Sequence, residues 1–121
     1  MPASFEDKLL GGWEDVYKKG QLTLWVLLAL KHGPKHMAEI KQFILQLTNN
    51  LVEADDKSMY RALRRFTEVG MTSYTVGVND AGPDRKVYAL TNTGHTVLHA
   101  FIDRNIAGIF YKDSVRQLLT P

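Results

Sequence analysis

At 121 residues, with 45% hydrophobic and 23% charged side chains, the chain has the balance of one ordinary globular domain and leaves little room for a second. It has no cysteine, which excludes disulfides and thiolate metal centres, and its net charge of +2 by itself points to no class of partner. The longest apolar run, Leu22 to Leu30 with Thr23 inside it, is about half of what a bilayer crossing needs.

Met1 to Lys8 carries Glu6 and Asp7 and no basic stretch leading into an apolar one, so no secretory signal is read there. The expectation is a cytoplasmic protein with no membrane contact and no cofactor. Ser4 opens a first helix, with Asp7 three residues later in the manner of a capping box. Phe5, Leu9, Trp13, Val16 and Tyr17 recur on it at helical spacing, Gly11 and Gly12 weaken it, and Gly20 is the expected stop. Leu22 to Lys31 is apolar nearly all round and reads as a central helix ended by Gly33-Pro34.

The next helix is expected from about Lys35 to Leu47, with Met37, Ile40, Phe43, Ile44 and Leu47 facing inward, before the loop signal Thr48-Asn49-Asn50. A further helix runs from Asp55 or Asp56 to Val69, acidic at its start and with Gly70 just past its end. Met71 to Val78 and Arg85 to Leu90 read as two strands around the turn Asn79–Asp84. Thr91 caps a last long helix carrying the stripe Val97, Leu98, Phe101, Ile102 and Ile106; Gly108 interrupts it, and Asp113 to Leu119 forms a short continuation. Four helices, a hairpin and a helix define an α+β, mostly helical chain: a winged helix-turn-helix with an extra helix before it and another after it.

The helix before the hairpin occupies the position that enters DNA in a winged helix. At ~100° per residue, Lys57, Arg61, Arg64 and Arg65 fall in one sector with Ser58 beside them. Met59, Leu63 and Phe66 fall opposite, with Tyr60 at the boundary. Arginine can bond guanine edges in pairs, and both cations neutralise phosphate. Arg85 and Lys86 add charge beside the wing tip. A basic helix face is often just solvated, so the position in the fold is what gives this one meaning.

Other candidates are weaker. His95 and His99 lie four apart with Asp103 a turn on, but the intervening residues supply no zincin glutamate, and surface histidines are the simpler reading. His32 and His36 flank Gly33-Pro34 as turn residues. Asp55 and Asp56 suit a helix start better than acid/base chemistry, and Ser58 has no histidine and aspartate arranged around it. No catalytic site is expected.

Lys19-Gly20-Gln21-Leu22-Thr23-Leu24-Trp25-Val26-Leu27-Leu28-Ala29-Leu30, His32-Gly33-Pro34 and Ala38-Glu39-Ile40 stand in the order of a PadR-type domain. Ser58-Met59-Tyr60-Arg61-Ala62-Leu63-Arg64-Arg65-Phe66 with Glu68-Val69-Gly70-Met71 is similar to that family's recognition helix. Gly82-Pro83-Asp84-Arg85-Lys86-Val87-Tyr88-Ala89-Leu90-Thr91 with Gly94 resembles its wing. The chain thus resembles the PadR family of winged-helix regulators over roughly residues 19 to 105. It departs at Met37-Ala38, where the family usually has Gly-Tyr, and at Lys57, where a small residue is usual.

The resemblance implies a homodimeric repressor bound to double-stranded DNA at an inverted-repeat operator. Lys57, Ser58, Tyr60, Arg61, Arg64 and Arg65 are the expected DNA contacts, with Arg85 and Lys86 holding the wing. It implies that residues 1–20 and 91–121 dimerise, through Phe5, Leu9, Trp13 and Tyr17 and through Val97, Leu98, Phe101 and Ile102, around a DNA-binding unit of residues 21–90. Some family members sense aromatic compounds near this interface, which makes Trp13 a candidate ligand contact and a small molecule a candidate effector. A protein-interaction module with only non-specific DNA affinity is the alternative.

Overall fold

A computed structural model describes residues 4–77, 82 and 85–121. Helix α1 spans Phe5–His32, strand β1 Lys35–His36, helix α2 Met37–Leu47 and helix α3 Asp56–Glu68. Strands β2 (Thr72–Gly77) and β3 (Arg85–Leu90) follow, then α4 (Asn92–Ile102), α5 (Gly108–Phe110) and α6 (Asp113–Leu119). The expected turn at Asn79–Asp84, apart from Gly82, and the strand end at Val78 lie outside the described residues.

The first two expected helices are one. Gly20 is not a stop but an interior residue of α1, with a right-handed helical backbone. A glycine ends a helix by turning left-handed, and at Gly20 the flanking turns hold the backbone instead. Lys18 pairs with Glu14 at 3.4 Å before it, and Leu22, Trp25 and Val26 pack on the core after it. At the start, Asp7 N–H donates to Ser4 Oγ and Ser4 N–H to the Asp7 carboxylate, completing the expected capping box.

The core is formed by Val26, Ala29 and Leu30 of α1, Ile40 and Ile44 of α2, Met59 and Leu63 of α3 and Tyr88 of β3. Leu47, expected inward, is 57% exposed because the last turn of α2 overhangs this cluster. The three strands form an antiparallel sheet in the order β1-β3-β2, with Lys35 opposite Tyr88 and Tyr74 opposite Tyr88 on the other side. Lys35 and His36 therefore belong to the sheet and not to the start of the following helix.

Lys35 explains the difference. Its ammonium is drawn back under α1, where it donates to the Ala29 carbonyl at 2.8 Å and the Gly33 carbonyl at 3.2 Å. It lies 3.0 Å from His32 Nδ1 and 4.8 Å from the Phe43 ring centre. Burial pushes its pKa below that of an ordinary lysine, against the opposing pull of the Glu39 carboxylate. The group works as a side-chain cap for the C-terminal carbonyls of α1.

Helix α3 ends in a Schellman turn: Gly70 takes φ +80°, its N–H donates to Thr67 O, and Met71 N–H donates to Phe66 O at 2.9 Å. The chain then returns beside this turn at Thr91, whose N–H donates to Met71 O and whose hydroxyl donates to Gly70 O at 2.6 Å. Thr91 Oγ1 also accepts the Gly94 N–H, capping α4 as expected. A Cβ at Gly94 would fall on the Met71 carbonyl. Beyond α4 the helix does not break at Gly108; it widens into a π-helical turn over Asp103–Ala107 and runs on into α5.

Two substitutions test this frame. Gly94→Ala must push α4 off the end of α3 and is expected to cost about 1–3 kcal/mol in urea unfolding at fixed protein concentration. Lys35→Ala leaves the Ala29 and Gly33 carbonyls without their donor, and a loss of about 1–2 kcal/mol is expected in the same measurement.

Candidate nucleic-acid interface

The polarity of α3 follows from its two kinds of residue. Met59 and Leu63 are fully buried and Ala62 nearly so, which turns the opposite side outward. Lys57, Arg61, Arg64 and Arg65 are all exposed along that side, Ser58 is half-buried at its edge, and Tyr60 is half-exposed toward the sheet. Asp55 caps the helix by accepting the Ser58 N–H at 2.8 Å, and this bond holds the Asp55 carboxyl below the usual carboxylate pKa. The paired aspartates are thus structural: Asp56, the other one, bonds Lys41 at 3.0 Å.

Glu68 also belongs to this face, and its i+4 spacing from Arg64 was the signal in the sequence. It lies one turn past Arg64 and accepts from Arg64 Nε at 3.2 Å, with both side chains mostly exposed. Such a pair contributes little to stability and is readily exchanged for another anion.

The wing places its two cations at the start of β3, opposite Gly77 and Val76 of β2. Lys86 rests 4.6 Å from the centre of the Tyr74 ring, which is tilted against Tyr88 at 5.7 Å. Arg85 Nη1 donates to His36 Nε2 at 2.8 Å. His36 is therefore more than a turn residue: it ties the start of α2 to the wing, and its backbone N–H donates to Glu39 Oε1 at 3.1 Å. The spacing His36-x-x-Glu39 was the available signal, since it copies a capping box with histidine in the first place.

The flanking apolar residues divide into two groups. Phe5, Leu9, Trp13 and Tyr17 are exposed, Trp13 by 73%. At ~100° per residue their stripe is rotated by roughly 140° from the core-facing stripe of Leu22, Val26 and Ala29 on the same helix. Val97 and Phe101 of α4 are also exposed, Ile102 is half-buried, and Leu98 is only 1% exposed because it already packs inside its own chain.

Two depressions border α3. A cleft of about 740 Å³ lies between the middle of α1, the α2–α3 loop and α3; Lys18, Lys19 and Leu22 line it from α1, Glu53 and Asp55 from the loop, and Arg61 and Arg65 from α3. An apolar groove of about 230 Å³ lies between α1, the end of α3 and α4, among Leu24, Leu27, Phe66, Val97 and Phe101. Trp13 lines neither of these. Among the described residues no group of three histidine, aspartate or glutamate side chains could hold a metal ion, His95, His99 and Asp103 included. No helix among them is long and apolar enough to cross a membrane.

A comparison with family models matches residues 26–100 to the transcriptional regulator PadR-like family. Among solved structures, a PadR-family transcriptional regulator from Eggerthella lenta is similar over 98% of both chains, with a TM-score of 0.74 and 20% identity. A PadR-like transcription factor from Bacteroides fragilis matches at 25% identity and TM-score 0.64, over 77% of this chain and 87% of its own. Bacillus subtilis PadR in complex with operator DNA matches at 21% identity and TM-score 0.61, over 67% of this chain and 46% of its own. The comparison with curated proteins finds no match. The family model covers α3, the wing and the core helices that carry them, well over half of the sequence, and on that ground the chain belongs to the PadR-like family of transcriptional regulators, not to a class of enzymes.

Proposed function

We propose that the chain is a sequence-specific DNA-binding regulator that acts in the cytoplasm as a homodimeric repressor on an inverted-repeat operator. The observation that carries this reading is the row of Lys57, Arg61, Arg64 and Arg65, exposed opposite the buried Met59 and Leu63 and standing next to the wing. A helix of this shape fits a major groove about 12 Å wide, where arginine reads guanine and lysine neutralises phosphate. Tyr60 and Ser58 add hydroxyl contacts in this reading. Arg85 and Lys86 meet the backbone from the wing side.

The division of labour follows from exposure. Among the described residues the N-terminal half of α1 carries exposed apolar side chains and α4 carries the half-exposed Val97 and Phe101, and a second copy is the partner that buries both. Two recognition helices related by a twofold axis then suit half-sites one DNA turn, ~34 Å, apart. A small aromatic effector is supported by the apolar groove, because Phe66 of α3 lines it and links its filling to the reading helix.

Selection of bound duplexes from a random library near physiological salt tests the reading; an inverted repeat is the expected result, and recovery of no motif would sink it. On the recovered duplex, Arg64→Ala is expected to weaken binding by about 1–3 kcal/mol and to relax preference at one position of each half-site. Trp13→Asp puts a charge in the exposed stripe of α1 and is expected to move the solution mass toward that of a single 13.7 kDa chain; light scattering reads this directly.

A further inference from the structure

A helix lying in a major groove has a phosphate strand on each side of it. Among the described residues the wing strands β2 and β3 stand on one side of α3. Thr67 of α3 touches Thr72 of β2 at 2.9 Å, so the wing flanks the Thr67 edge of α3. The opposite edge carries Ser58, Arg61, Ala62 and Arg65, and it opens onto the cleft shared with α1.

Across that cleft stand Lys18 and Lys19. Their place follows from the unbroken α1. At ~100° per residue they fall in the same sector as Leu22, Val26 and Ala29, which pack on the core. One turn beyond the core the same face carries Lys18 and Lys19, with Asp15 between them, and borders the cleft to α3. We propose that Lys18 and Lys19 form a second phosphate clamp, gripping the DNA strand on the side of α3 away from the wing.

The charge balance of the cleft favours a strand over a small anion held inside it. Asp15, Glu53 and Asp55 line it as well, and Asp55 is committed to the α3 cap. Lys18, Lys19, Arg61 and Arg65 therefore give only a modest excess of positive charge, suited to a backbone that crosses the mouth with its phosphates in solvent. Lys19 is exposed, and the Lys18 pairing to Glu14, at 3.4 Å and partly solvated, is weak enough to yield to phosphate.

The inference rests on α3 being the reading helix, and its test separates the two. Affinity of the purified full chain for the selected operator is measured against salt, for the wild type, for Lys18→Gln/Lys19→Gln and for the tail variant Lys112→Gln. For each protomer bound, the double variant is expected to lose roughly 5–30-fold in affinity near 0.15 M salt and about 1–2 units of the log–log salt slope. Its preferred sequence should stay the same, since phosphate contacts carry no base information. Circular dichroism checks that α1 remains helical. An unchanged slope in the double variant, beside a wild type that binds its operator, overturns the clamp alone. Lost affinity with an altered sequence preference also overturns it, because the lysines would then act by shaping α3. A wild type that binds no operator overturns both readings.

Discussion

The rotation of α3 about its own axis is the constraint on which the surface depends, and Met59 and Leu63 set it. Both are fully buried beneath α1, α2 and β3, and hiding side chains of this size contributes about 1.5–3 kcal/mol each. Turning the helix by a single residue's worth of rotation would expose one of them and press a guanidinium toward the core, where an unpaired charge costs far more. The outward row of cations is thus the complement of a packing problem solved on the other side. The Schellman turn at Gly70 and the return of Thr91 against it then fix the wing to this same helix.

Much of this was readable in the sequence because it is local. The alternation of apolar and basic residues from Lys57 to Phe66, the acidic start at Asp55 and the glycine at position 70 all act within a few residues of where they stand. The return of the chain at Thr91 was legible for the same reason. Gly20 misled because glycine only permits a helix end; what decides is whether the neighbouring turns have packing of their own, and Leu22 and Val26 do.

What stayed hidden depends on residues that meet only after folding. Lys35 looked like the first turn of a helix, yet its ammonium is bound to a carbonyl six residues back, under the end of α1. His36 and Arg85 are 49 residues apart and touch at 2.8 Å. The cleft between α1 and α3 exists because α1 overshoots the core, a matter of where one helix ends relative to another. Composition carries no trace of it. The candidate DNA contacts were legible as a helix face, whereas the surface around that face was not.

The overshoot of α1 has one more consequence. The helix is about 42 Å long at 1.5 Å per residue, but the stretch from Phe5 to Tyr17 contributes nothing to the core of its own domain. A segment of that length is marginally helical in water unless something covers it. In the homodimer proposed above its order is borrowed from the second copy, and a chain lacking that cover presents an end rich in bulky apolar side chains, the kind of end that proteases and chaperones engage first. Under the proposed homodimer, cellular abundance of this protein would track its state of assembly, with surplus single copies cleared through the exposed stripe of α1.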